Sequence, residues 1–193
     1  VRRTTSRRPR KEVDVTLDSL NIVVIGSFIM DLVYRTKRIP SEGETVIGTS
    51  FGRYPGGKGA NQAVAAARLG AQVTMVGKLG CDSFGDEMVA TLSAEGIDVS
   101  NVMLDEHGNN RIIIIPGSNL RYTSRELRSV EPLIRSSKMI VMQLEMDMSI
   151  VEEGVSLASK YGVPVLLNPA PAQKLSDHVM RSVDYLTPNE TEA

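Results

Sequence analysis

The sequence predicts an α/β protein built on a doubly wound, mainly parallel sheet with a small β-flap. Three observations carry that prediction. Short continuous runs rich in Ile and Val, such as residues 21–25, have the unbroken apolar character of strands buried on both faces. Segments of helical length alternate with these runs, and strand-helix-strand alternation is satisfied by parallel pairing through crossovers. Polar residues and glycines follow the runs directly, at Gly26-Ser27, Glu145, Asn168 and Asn189. Those positions are the carboxyl ends of strands, where sheets of this kind bind ligands.

Taken in order, residues 21–25 form the first buried strand, ended by Gly26-Ser27. Residues 30–36 and 44–51 are β-prone stretches separated by Pro40, Ser41, Glu42 and Gly43, and they lack helical periodicity. They read as a flap projecting from the main sheet, with segments near 28–53 and 101–110. Residues 60–69 form a helix closed by Gly70, and residues 72–77 return as a strand. Residues 83–95 form the next helix, with Ser83 as candidate N-cap and Gly96 at its end. A strand is expected over 111–115, one helix over 124–135 running through Pro132, and a strand over 139–144. A helix over 149–160 stops at Gly162. It precedes a strand over 163–167, a short helix over 176–181 and a strand over 184–186.

Composition sets the class. At 193 residues the chain is long enough for one sizeable core. Its 41% hydrophobic content and formal charge of -1 give no global field for nucleic acid or a membrane surface. No apolar run approaches the roughly 18 residues that span a bilayer. The single cysteine, Cys81, cannot form an internal disulfide, which fits a reducing, cytoplasmic compartment. Residues 1–18 stand apart as a basic extension carrying Arg2, Arg3, Arg7, Arg8, Arg10 and Lys11, too polar at its start to bury a core. A plain disordered tail, the remnant of an organelle transit peptide and a nuclear-type basic patch are the readings open for it. Residues 19–193 form the folded domain.

The chemistry concentrates at residues 55–62, Pro-Gly-Gly-Lys-Gly-Ala-Asn-Gln, which run straight into an alanine-rich helix. Glycines allow positive φ and close approach of backbone to a ligand, and the first helical N–H groups have no internal partner. Lys58 and Asn61 add side-chain donors. A plain glycine cap between two elements is the alternative. Glu145 follows a buried-looking run, where an unpaired carboxylate is costly to hide. Asp31 reads either as a ligand-facing acid or as a charge on a solvated edge.

From Gly56 the chain reads Gly-Gly-Lys-Gly-Ala-Asn-Gln-Ala, followed by Gly70 and Gly80. Residues 40–45 read Pro-Ser-Glu-Gly-Glu-Thr, residues 142–145 Met-Gln-Leu-Glu, residues 168–172 Asn-Pro-Ala-Pro-Ala and residues 187–192 Thr-Pro-Asn-Glu-Thr-Glu. In this order, over residues 20–193, they resemble the ribokinase, or PfkB-type, family of carbohydrate kinases. The resemblance implies a three-layer, Rossmann-like domain and ATP-dependent phosphorylation of D-ribose to ribose 5-phosphate. It implies sugar contacts by Asp31, Gly57, Lys58, Asn61 and Glu145, nucleotide handling by Asn189 and Mg²⁺ handling by Glu192. It also implies a monovalent cation, K⁺, in the complete family fold, and a homodimer formed through the flap. A kinase for another pentose, a ketohexose or a nucleoside stays open, as does a non-catalytic truncated sugar-binding or interaction protein.

Three departures qualify the resemblance. Ile29 stands where the family commonly has a sugar-contacting Asn. Residues 103–107 bridge directly a region in which the family carries a further flap strand, so a deletion there and an incomplete flap are expected. The family's catalytic base is an aspartate in a Gly-Ala-Gly-Asp motif, and no such run occurs in these 193 residues. The resemblance places that base beyond Ala193. The expectation is therefore a C-terminally truncated chain that carries the sugar-binding half, has no catalytic residue of its own and is defective in turnover.

Overall fold

The computed structural model of the chain describes residues 20–105 and 117–192. The basic extension, the strand expected over 111–115, the 106–110 part of the expected flap and Ala193 lie outside the described residues. Among the described residues the main sheet has six strands: β1 (Asn21–Ile25), β4 (Gln72–Gly80), β5 (Val102–Asp105), β6 (Met139–Met142), β7 (Val165–Leu167) and β8 (Tyr185–Leu186). Its order is β5-β4-β1-β6-β7-β8, and every adjacent pair is parallel. Strand order therefore runs outward from β1 in one direction and restarts beside it with β6. That topological switch point opens a crevice at the carboxyl ends of β1 and β6.

Val23, Val24 and Ile25 of β1 are fully buried, as a central parallel strand covered on both faces requires. One face packs Val24, Val73 and Met75 against Ala60 and Ala63 of α1 (Lys58–Arg68) and Met88 and Leu92 of α2 (Ser83–Ala94). The other packs Val23, Ile25 and Ile140 against α3 (Ser124–Ser129), α4 (Glu131–Ser136), α5 (Met148–Tyr161) and α6 (Asp177–Ser182) through Leu127, Ile134, Ile150, Val155 and Val179. The result is the three-layer sandwich that alternating strands and helices demand.

Several boundaries differ from the sequence pattern for identifiable reasons. The helix expected over 124–135 is two helices, because Pro132 has no N–H to continue the ladder and instead occupies the first turn of α4. The α2 cap is Asp82 rather than Ser83, its carboxylate accepting from the N–H groups of Phe84 and Gly85. The flap is an antiparallel pair, β2 (Ile29–Thr36) and β3 (Gly48–Gly56), with Asp31 opposite Tyr54. Val102–Asp105, expected in the flap, is instead an edge strand of the main sheet. Because β4 continues to Gly80, its end offers Val102–Asp105 a parallel partner from Gly77 onward.

Candidate functional site

The crevice floor is made by two pieces of backbone in contact. At the end of β1, Gly26 and Ser27 meet the start of α1: a Cβ on Gly59 would stand 2.5 Å from the Ser27 nitrogen, and one on Gly26 would stand 2.8 Å from the Gly59 Cα. Only glycine allows that approach. Gly57 precedes α1 with φ of 93°, a left-handed conformation that turns the chain sharply from the flap into the helix.

Glu145, just past β6, closes this turn from the other side of the switch point. Its Oε2 accepts from Ser27 Oγ at 2.6 Å and from the Lys58 backbone N–H at 2.9 Å. The Ser27 hydroxyl accepts in turn from the Gly59 N–H at 3.3 Å. One carboxylate oxygen is thus fixed by an otherwise orphaned N–H at a helix start, and no described residue bonds the other. Asp31 lies at the opposite end of the turn, its Oδ2 3.0 Å from where a Cβ on Gly56 would be. Two carboxylates therefore flank residues 56–58, and both are open to solvent on one side. Asn61 sits exposed on the first turn of α1, its N–H donating to the Gly57 carbonyl at 2.9 Å.

Such a set suits a polyhydroxylated ligand. Each sugar hydroxyl donates one proton and accepts others, so carboxylates that accept and amides that donate can grip adjacent hydroxyls. Ile29, half-buried at the same turn, supplies no side-chain hydrogen bond.

Asn189 and Glu192 stand elsewhere, beyond β8. Asn189 Oδ1 accepts from the N–H groups of Thr191 and Glu192, while its own N–H and Nδ2 donate to the two Glu192 oxygens at 2.9 Å. They form a self-contained turn, and the structure does not bring them to the glycine turn. Ala193, past which the catalytic base is expected, follows that turn outside the described residues, so the expectation about the base has no counterpart in the geometry. Among the described residues there is no group of three or more His, Cys, Asp or Glu arranged to hold a metal.

Sequence reading missed the supports beneath the site. Ser27 was legible as the end of a strand but not as the partner of Glu145. Gln143, fully buried, donates from Nε2 to Gln62 Oε1 at 2.5 Å and ties β6 to α1. Asn119, also buried, bonds the backbone of Phe28. For Gln143 the sequence signal was a polar residue among apolar neighbours; Asn119, in the run Gly-Ser-Asn-Leu-Arg, carried none.

Residues 19–193 match the pfkB family of carbohydrate kinases. The chain belongs to that family. The pfkB-family chain is 42% identical to the ribokinase of Bacillus subtilis over 186 residues, covering 90% of this chain and 63% of that protein. It is also 42% identical to the ribokinase of Schizosaccharomyces pombe, covering 90% of this chain and 61% of the other. Among solved structures, it resembles Arabidopsis thaliana ribokinase complexed with ribose and ATP, with a TM-score of 0.80, 29% identity, and coverage of 90% of this chain and 61% of that one. The chain thus spans somewhat over three-fifths of the length of these curated relatives.

Proposed function

We propose that this chain supplies the sugar-binding part of an ATP-dependent kinase that converts D-ribose to ribose 5-phosphate. The observation that supports it most is the pair of carboxylates, Asp31 and Glu145, set on either side of one glycine turn at the switch point of the sheet. In this reading Glu145 Oε1 and Asp31 accept sugar hydroxyls, while Lys58 and Asn61 donate to them. Gripping the ring at several hydroxyls fixes where the primary hydroxyl lies, and alignment of the reacting oxygen is a large part of phosphoryl transfer.

ATP is the proposed phosphoryl donor, with Asn189 toward the nucleotide and Glu192 toward Mg²⁺. A hard cation that keeps several waters and takes phosphate oxygens needs only one or two protein carboxylates, so a single Glu192 fits such a role. Bound there, Mg²⁺ neutralises charge on the phosphate oxygens. The protein is proposed to work in the cytoplasm and to pair as a homodimer through the flap. No described helix is long and apolar enough to cross a membrane. No Gly-Ala-Gly-Asp run occurs in the 193 residues, and turnover by them alone is not expected.

Calorimetric titration with ribose is the test. The chain is expected to bind ribose at one saturable site. Glu145→Gln is expected to weaken binding roughly 10- to 100-fold, the worth of a hydrogen bond to a charged group, while melting close to the parent. A coupled ATP assay on the same sample should show no turnover. Failure of the parent to bind ribose, or indifference to Glu145→Gln, would sink the sugar-site reading. A kinase for another pentose, a ketohexose or a nucleoside is the second reading. Ile29 favours it, because an apolar side chain at the turn leaves one hydroxyl without a partner. Tighter binding of another sugar in a competition panel would support it.

A further inference from the structure

The flap leaves the main sheet through residues 26–28, and Phe28 belongs to neither sheet. Its backbone is nevertheless fully engaged. The Phe28 N–H donates to Asn119 Oδ1 at 3.0 Å, and the Phe28 carbonyl accepts from Asn119 Nδ2 at 2.8 Å. One buried amide side chain, 7% exposed, thus does for Phe28 what an adjacent strand would do for a residue in a ladder.

The clamp has a firm rear and a functional front. At the rear, Asn119 lies in the 3-10 helix Gly117–Arg121, which runs into the Thr123–Glu126 capping box of α3. Lys78 on β4 donates to Glu126 Oε1 at 3.1 Å and to the Arg121 carbonyl at 3.5 Å, pinning that segment to the main sheet. At the front, Phe28 adjoins Ser27, the donor to Glu145, and lies three residues before Asp31. A Cβ on Gly57 would stand 2.7 Å from the Ile29 nitrogen and 3.0 Å from the Phe28 carbonyl carbon. Connector and glycine turn are in backbone contact, so a displaced Phe28 displaces the turn.

We propose that Asn119 is a positioning residue of the sugar site, acting through Phe28 to hold the flap root so that Asp31 and Glu145 keep their places on either side of residues 56–58. This rests on the reading that those carboxylates bind a sugar. Asn119→Ala leaves both Phe28 groups unpaired and frees the connector, while Asn119→Ser can still bond one of them and is the milder variant.

The test measures ribose affinity by calorimetry, and hydrogen exchange of the amides of residues 28–31, in the full chain. Val179→Ala, a truncation of a fully buried core residue in α6, serves as the control for lost stability. Asn119→Ala is expected to weaken ribose binding about tenfold or more and to speed exchange at residues 28–31, with a smaller effect from Asn119→Ser. Val179→Ala should leave affinity within about twofold of the parent. If the parent binds ribose and Glu145→Gln impairs it, but the Asn119 variants bind like the control, the positioning role is overturned while the sugar site stands. If the parent itself does not bind ribose, the sugar site falls and this inference falls with it.

Discussion

A methyl group at position 59 would collide with the peptide group joining Gly26 and Ser27, 2.5 Å from its nitrogen and 2.7 Å from its carbonyl carbon. Neither atom can rotate away as a side chain would. Gly59→Ala is therefore expected to lower stability by about 2 kcal/mol, in the range of overpacked cores, and to weaken ribose binding by separating Ser27 from Glu145. Gly96→Ala, with φ of 76° but nothing within 4 Å of a new Cβ, should cost about 1 kcal/mol and leave binding unchanged. Urea denaturation with calorimetry on both variants checks this. At this scale the sequence was legible where a residue type is costly without a purpose. A glycine-dense turn before a helix and a carboxylate after a buried run both stood out. Their supports did not, because Ser27 and Glu145 are 118 residues apart and their bond follows from the order of strands, which no local pattern encodes.

Elements show the same division between local and non-local causes. Helix α5 was legible at both ends, and its start gives a clear expectation. Asp147 accepts from the Ser149 N–H at 2.8 Å, and hydrogen bonds from Ser149 hold its carboxyl below the usual range despite partial burial. A carboxyl whose pKa is lower in the folded state binds its proton more readily when unfolded. The cap's contribution is thus complete above the ordinary Asp value of about 4 and fades as pH falls through the lower folded value. Asp147→Ala should cost about 1 kcal/mol near neutral pH, and its stability gap from the parent should close below about pH 4. Thermal melts across that range would show it, and a gap constant with pH would contradict the assignment. The split at Pro132 was not anticipated, because the helical pattern on both sides was read as continuous, although a proline in such a pattern often marks a boundary. The placement of Val102–Asp105 was not anticipated either, because its partner is the far end of β4, beyond the apolar run that marks that strand in the sequence.

For the whole molecule, alternation of strands and helices gave the layers, whereas the sheet order came only with the structure. Exposed apolar surface is concentrated in the flap. Tyr34 and Phe51 pack as a tilted pair with ring centroids 4.9 Å apart while 68% and 56% exposed, and Ile39 and Ile47 at its tip are nearly bare. A patch of this kind favours a partner surface. Sedimentation is expected to show concentration-dependent association, and Tyr34→Ser with Phe51→Ser should shift it toward monomer. No shift would move attention to the exposed Tyr185 and Leu186 of β8. The switch point has a further consequence, in the order in which a growing chain can fold. Residues 20–105 already contain β1, β4, β5 and the two helices of one face, so that half-sandwich can assemble while the rest is still unmade. The glycine turn then exists without Glu145, which arrives only after β6 adds to the opposite edge of β1. A ligand that needs both Glu145 and the glycine turn can therefore reward only the last stage of assembly, when the second half docks, and it is blind to errors made in the first.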